Sequence, residues 1–227
     1  MSNTIFQYPK SKHVRTQSPR LFKNYQTYKI YLQHDFYRTC VYCRQPDSSA
    51  PNLNFGADHY RPKSIPRFAP LKCSYTNLYY CCGGCNSRKG SVWPQDEAKG
   101  PYVVNPCDQV MSQHIRFDSS TGRMEPRSRN GTYTEELLQL NDEAQVVFRK
   151  TTLHALKLAA KELDSLFKQR VQLVSLKENG KISENIFDIE ISGLVQDIEI
   201  TDSLIRNLTG ANAPRALKTQ RLGVALS

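Results

Sequence analysis

The chain has no hydrophobic run approaching the roughly 18 residues that a membrane-spanning helix needs, and it contains no internal repeat or low-complexity tract. Its first residues, Met1 to Gln7, do not combine a basic stretch with a following apolar one. We therefore expect no secretory signal, no membrane partner and a cytoplasmic location. A hydrophobic fraction of 39% in 227 residues is ordinary for a protein that buries its own core.

Acidic residues are scarce in the first part of the chain. Residues 1–90 carry 14 Lys and Arg but only three acids, Asp35, Asp47 and Asp58, which gives a net charge of +11. Residues 91–227 carry 17 basic and 18 acidic residues, a net charge of −1. This asymmetry predicts a polyanion-binding face in the first part and another task for the second. A lysine-rich solubilising surface would give the same charge, so charge alone does not identify nucleic acid.

Seven cysteines in a chain expected to be cytoplasmic argue against a disulfide framework, because the count is odd and thiols stay reduced there. Four of them form two C-x-x-C pairs, Cys40 with Cys43 and Cys82 with Cys85, separated by 38 residues. Two such pairs can complete a tetrahedral zinc site, and a closed four-thiolate site is structural. Cys81 is an alternative to Cys82, whose spacing to Cys85 repeats that of Cys40 to Cys43.

The residues between the cysteine pairs form an ordered pattern. Asp58 and His59 begin the segment D-H-Y-R-P-K-S, Asn77 follows in T-N-L, and Asn86 to Lys89 come directly after Cys85 as N-S-R-K. Each piece alone is an ordinary surface or turn sequence. Together, over residues 40–94, they resemble the HNH endonuclease family in its zinc-bearing form.

This resemblance implies a ββα-metal fold in which two strands and a helix hold a divalent ion against a phosphate. By position, His59 would be the general base, Asp58 and Asn86 would bind the catalytic ion, and Asn77 would orient the loop that carries the histidine. Asn86 stands where the family often has a last histidine, which leaves the metal less certain; Mg²⁺ fits these oxygen ligands best, with Mn²⁺ as the alternative. The expected phosphate-binding residues are Arg61, Lys63, Arg88 and Lys89.

A narrower resemblance covers about residues 1–150. Further segments, among them Trp93-Pro94, Val104-Asn105-Pro106 and His114-Ile115-Arg116-Phe117, make the chain similar to the HNH subunit of Septu-type anti-phage systems, including those associated with retrons. The resemblance implies an effector role in a defence complex, with an ABC/SMC-like ATPase as partner. The retron reverse transcriptase and its msDNA are further candidate partners.

The expected fold class is α+β: residues 1–39 form a basic and aromatic N-terminal segment, residues 40–133 a small zinc-clamped ββα-metal (HNH) core, and residues 134–227 an α-helical extension suited to partner docking. We expect a short helix between Pro19 and Tyr37, a strand at Leu78–Cys81, and a helix starting near Thr134. A longer helix capped by Asn141-Asp142 should end near Asn179-Gly180, and another should cover about 183–207.

Three functions fit the sequence. The favoured one is a metal-dependent nuclease that hydrolyses phosphodiester bonds in DNA, or in an RNA such as tRNA. The second is a non-catalytic zinc-ribbon module that binds nucleic acid, and the third is a structural zinc adaptor, which leaves the basic charge unexplained. The motif is expected to bind a phosphate rather than a base, so it does not discriminate between DNA and RNA.

Overall fold

The computed structural model describes residues 5–49 and 54–211. In these ranges the fold is α+β, with mostly helices and two small antiparallel sheets. The elements that position the site come first: α1 (Lys29–Asp35), β1 (Phe55–His59), β2 (Leu78–Cys82) and α2 (Gly83–Lys89). They are followed by α3 (Met111–His114), β3 (Ile115–Asp118), β4 (Arg123–Pro126), α4 (Arg129–Leu138), α5 (Glu143–Glu178) and α6 (Glu184–Thr209). No helix in these two ranges is both long and apolar enough to cross a bilayer.

Strands β1 and β2 pair antiparallel, with Phe55 opposite Cys82 and His59 opposite Leu78. All five residues of β2 are buried, so its sequence LYYCC reads as an apolar run rather than an alternating one. Helix α2 follows β2 without a linker, because Cys82 serves as its N-cap and accepts a bond from the Cys85 amide. The structure thus has two antiparallel strands followed directly by a short helix, and the identity of this part as an HNH core stays a prediction.

The N-terminal segment packs against this core instead of standing apart from it. Its regular part is a 3₁₀ turn at Tyr25–Tyr28 that leads into α1, a shorter helical region than the stretch from Pro19 to Tyr37 suggested. Tyr28, Leu32 and Phe36 are almost fully buried. The aromatic residues of this segment therefore act mainly as core residues.

Two polar residues hold the irregular part of this segment in place. The Arg15 guanidinium lies over the rings of Phe36 and Tyr79, at 5.1 and 4.8 Å, and donates to the Leu78 carbonyl oxygen at 2.6 Å. The buried Asp35 carboxylate accepts bonds from the backbone amides of Thr16 and Gln17, both at 2.9 Å. Arg15 is thus a structural residue, and its charge does not belong to an open polyanion-binding face.

Helices α5 and α6 form a long antiparallel hairpin, which makes up most of the C-terminal half of the chain. Asp142 caps α5 through the Ala144 amide, as expected, and Ser183 caps α6 through that of Ile186. Helix α4, however, begins at Arg129, so the expected boundary at residue 133 falls inside a helix. The tail from residue 212, which carries Arg215, Lys218 and Arg221, lies outside the described residues.

Gly131 lets α4 approach the β3–β4 hairpin closely. A methyl group added at this position would overlap the carbonyl oxygen of His114 and come within 3.3 Å of the Ser128 hydroxyl oxygen. Both are fixed, since the His114 carbonyl accepts a bond from the Arg127 amide and Ser128 caps α4. The glycine is therefore required by close backbone packing rather than by a turn.

We predict that Gly131→Ala lowers the free energy of unfolding by about 1–3 kcal/mol, the usual cost of overpacking a rigid contact. Gly193→Ala in α6 is the matched control, because no atom lies within 4 Å of the added methyl. This control should raise the free energy of unfolding by about 0.5–1 kcal/mol through helix propensity. Urea denaturation measures both, and equal effects of the two changes would contradict the close approach at Gly131.

Candidate functional site

Four buried cysteines, Cys40, Cys43, Cys82 and Cys85, form a cluster in which all four sulfur atoms lie within 4.8 Å of one another. Cys40 and Cys43 flank a tight turn, and Cys82 and Cys85 lie at the junction of β2 and α2. The arrangement could hold a metal ion such as zinc, whose tetrahedral thiolate sites need this convergence.

The chemistry of the donor set agrees with a bound cation. Hydrogen bonds from the neighbouring thiols, that of Cys40 first, lower the pKa of Cys82. Hydrogen bonds to Cys40 are the main cause that raises the pKa of Cys43 and of Cys85. One thiolate is therefore easily formed, but several cannot coexist in this buried space without a positive ion among them.

Cys81 lies outside the cluster although it is equally buried. Residues in a strand alternate between its faces, and the register places Cys81 opposite Gly56 and Tyr79 opposite Asp58. Cys81 is therefore on the same face of the sheet as Asp58, and Cys82 is on the other. The two remaining cysteines, Cys73 and Cys107, are half-buried.

We predict one zinc ion per chain, retained in Cys81→Ala and lost in Cys82→Ala. The two neighbouring substitutions remove the same thiol group, so they separate loss of a ligand from loss of a buried sulfur. Metal content by elemental analysis is the measurement, with circular dichroism to record folding. Zinc retained in Cys82→Ala but lost in Cys81→Ala would contradict the assignment of the cluster.

His59, at the end of β1, has a defined tautomer. Its Nε2 lies 2.8 Å from the carbonyl oxygen of Lys72, and because a carbonyl only accepts, Nε2 carries the proton and Nδ1 is the basic nitrogen. Burial lowers the pKa of His59 from its ordinary value of 6.5, so the ring is neutral at neutral pH. A neutral, oriented imidazole is what a general base requires.

Asn77 fixes the loop between β1 and β2 that supplies the Lys72 carbonyl. Its side-chain oxygen accepts from the Arg61 amide at 2.9 Å, and its nitrogen donates to the carbonyl oxygens of Arg61 at 3.1 Å and Leu71 at 3.4 Å. Both ends of the loop are thus tied to one buried amide. Asn77 thus holds this loop in place, and its expected role beside a catalytic histidine stays a prediction.

Asp58 and Lys89 form a buried ion pair. The Lys89 ammonium lies 3.1 Å from Asp58 Oδ1 and donates to the His59 carbonyl oxygen at 2.7 Å, while the Tyr42 hydroxyl donates to Asp58 Oδ2 at 2.7 Å. Lys89 is only 1% exposed, so the expected phosphate contact of Lys89 does not fit the structure. Each oxygen of Asp58 already accepts one bond and the side chain is only 4% exposed, so a magnesium ion could bind the carboxylate only after this ion pair rearranges.

The other expected site residues lie nearer the surface. Asn86 is exposed on α2, and its side chain makes no hydrogen bond within the described parts of the chain. Arg61 is half-exposed, with Glu97 at 3.3 Å, and Lys63 is exposed and donates to the Tyr25 hydroxyl at 2.9 Å. Arg88 donates to the Leu138 carbonyl oxygen at 3.4 Å and so joins α2 to α4.

Sequence reasoning missed three residues that shape this site. Tyr25 packs edge-on against the His59 ring, with centroids 4.5 Å apart, and covers it from the N-terminal segment. Tyr42 binds Asp58 from inside the first cysteine pair, and Lys72 acts through its backbone. No spacing pattern marks any of them, because each reaches the site through tertiary packing.

Comparison of the chain with protein-family models, curated protein sequences and solved structures finds no match. The likeness to HNH endonucleases therefore rests on the residues of the sequence motif alone and stays a prediction.

Proposed function

We propose that this protein is a nuclease in which His59 is the general base for phosphodiester hydrolysis. The observation that carries the proposal is the bond from His59 Nε2 to the Lys72 carbonyl, which leaves Nδ1 to accept a proton. Asn77 supports the arrangement, since it ties down both ends of the loop that provides this carbonyl. A histidine held this way is oriented for proton transfer before any substrate arrives.

In the proposed reaction, Nδ1 of His59 takes a proton from the water that attacks phosphorus. Desolvation lowers the pKa of the ring, so the basic form is the resting form at neutral pH. Arg61 and Lys63, both on the segment that follows β1, are accessible enough to contact the phosphates on either side of the cleaved bond. Their charge would stabilise the negative charge that builds up on the phosphate oxygens.

A catalytic Mg²⁺ or Mn²⁺ ion belongs to this proposal through the family resemblance only. Such an ion would neutralise charge on the reacting phosphate. Its expected ligands do not fit it as they stand, because Asp58 is engaged with Lys89 and Tyr42. We therefore assign no step to the ion, and metal dependence is treated as an experimental question.

We also propose that the nuclease is the effector of a prokaryotic anti-phage complex with an ABC/SMC-like ATPase, DNA being the favoured substrate and tRNA the alternative. The α5–α6 hairpin supports a docking role, since it leaves several apolar side chains exposed, among them Phe167, Val171, Ile189 and Ile200. Exposed apolar side chains are typical of a surface that meets another protein when they lie together, as Phe167 and Val171 do one helical turn apart on α5.

A non-catalytic nucleic-acid-binding module is the second candidate function, and two observations favour it. The Asp58 carboxylate is buried in an ion pair with Lys89, and His59, whose ring Tyr25 contacts, is only 7% exposed. A binding module would need the cysteine cluster and the basic surface but not an oriented imidazole. The two functions therefore make opposite predictions for substitution of His59.

We predict that His59→Ala lowers the cleavage rate by about 10²- to 10⁴-fold, the usual contribution of a general base. Plasmid DNA, single-stranded DNA and total tRNA are incubated with the wild type and the variant, with and without added Mg²⁺ or Mn²⁺, and with and without the co-expressed ATPase. His34→Ala in α1 is the matched control and should keep the wild-type rate. Zinc content is measured in each sample, so that a chelator effect on the cysteine cluster is recognised.

Cleavage by the wild type that His59→Ala retains would contradict the assignment of the base. Binding of these nucleic acids by both proteins, with no cleavage by the wild type under any of these conditions, would favour the non-catalytic module.

The pH dependence gives a second check. Since His59 must be unprotonated to act and its pKa lies below 6.5, the cleavage rate should stay level from neutral pH down to about 6.5 and fall only at lower pH. The acid limb is measured from initial rates between pH 4.5 and 8, with circular dichroism to confirm folding at each pH. A midpoint above 6.5 would contradict the desolvated environment of this ring.

A further inference from the structure

A large cleft in the described parts of the chain lies away from His59. It has a volume of about 1430 Å³ and is formed by residues 5–10 of the N-terminal segment, the β3–β4 turn, α5 and the end of α6. None of its lining residues belongs to the cysteine cluster or to the site around His59. Its volume exceeds the 300–1,000 Å³ of most small-molecule sites.

Positive charge dominates this cleft. Lys157 and Lys161, four residues apart on α5, extend from the same face of the helix, and Lys10 and Arg44 add their charges from the opposite wall and the floor. The only acid in the lining, Asp164, is paired with Lys168 at 2.6 Å. The lysines at positions 10, 157 and 161 are exposed and make no ion pair within the described residues. The cleft therefore carries four Lys and Arg side chains against a single acid.

Arg44 distinguishes the floor of the cleft from an ordinary lysine-rich surface. Its guanidinium is held by a bond from Nε to the Gln7 carbonyl oxygen at 3.2 Å. A planar guanidinium fixed in this way presents paired donors to an oxyanion in a defined geometry, unlike a flexible lysine. It also has donors left for an incoming oxyanion, since a guanidinium carries five.

The other walls of the cleft suit the bases of a nucleic acid. Leu153, Leu156 and Ile205 give the cleft an apolar side, and the Tyr37 ring, 62% exposed, lies at its border. Rows of cations beside apolar and aromatic surface are typical of grooves that follow a single strand, with phosphates on the cations and bases against the apolar side. An acidic protein segment would use the cations but would leave an exposed aromatic ring without a stacking partner.

We propose that this cleft is a second nucleic-acid site, which holds a single-stranded stretch of DNA or RNA at a distance from the bond that is hydrolysed beside His59. The inference rests on the proposed function in naming nucleic acid as the ligand. It extends that function, because it places a positioning site on the helical half of the chain, whose overall charge is close to neutral.

The test measures binding alone, so that it is independent of cleavage. A fluorescently labelled 12-nucleotide single strand, in DNA and RNA versions, is titrated with His59→Ala protein without added divalent ions, and anisotropy is recorded at several salt concentrations. In the same background, Lys157→Glu/Lys161→Glu removes two cleft cations. Arg170→Glu/Lys181→Glu is the matched control, because it reverses the same number of charges on the same hairpin outside the cleft.

We expect the cleft variant to bind at least tenfold more weakly than the control, and its slope of log affinity against log salt to fall by about 1.4, the value for two lost single-strand phosphate contacts. Equal affinities in the two variants would overturn the proposal, since binding would then follow net charge only. Equally tight binding of a labelled poly-glutamate peptide would also overturn it. Failure of the proposed catalytic function would appear instead as an absence of cleavage by the unaltered protein, with this binding result unchanged.

Discussion

The fold around the candidate site depends on four thiols that meet at one point. Cys40 and Cys43 come from the turn that follows the N-terminal segment, and Cys82 and Cys85 come from the junction of β2 and α2. A two-stranded sheet and a seven-residue helix bury too little apolar surface to be stable alone. A metal ion bound to these thiols would join the pieces, and its binding free energy would then become folding free energy.

Two buried arginines lie close enough to this cluster to share its electrostatics. The thiols of Cys43 and Cys85 and the Tyr8 hydroxyl act to raise the pKa of Arg149, and those of Cys40 and Cys43 act likewise on Arg44, although burial lowers both overall. Four thiolates around one divalent ion carry an excess of negative charge, which these guanidiniums would offset. Arg149 comes from α5 and bonds to the carbonyl oxygens of Gly122 and Leu140, so the helical half contributes directly to the environment of the cluster.

Much of this architecture could be predicted from the sequence because its signals are local. Two C-x-x-C pairs specify which cysteines converge, Asp142 and Ser183 mark the starts of the long helices, and Asn77 has few partners other than its own loop. The role of Gly131 could not be predicted, because a glycine required by a neighbouring carbonyl looks the same in sequence as a glycine in a turn.

The buried ion pair between Asp58 and Lys89 could not be predicted from the sequence either. A motif places both beside a phosphate, but the depth of a side chain depends on what packs over it, and here Tyr42 and the paired strands exclude solvent. The coverage of His59 by Tyr25 depends in the same way on a segment more than thirty residues earlier in the chain. Composition and spacing identify the residue types of a site, whereas tertiary packing decides which of them meet the solvent.

Helix α5 is much longer than the small core around the cysteine cluster. At 1.5 Å per residue, 36 residues span about 54 Å, and α6 returns along most of that distance. The α5–α6 hairpin therefore holds the turn at residues 179–183 well away from the cysteine cluster. A protein bound at the far end of this hairpin would act on the core through a long lever arm, so that a small rotation at that end becomes a large displacement at the core.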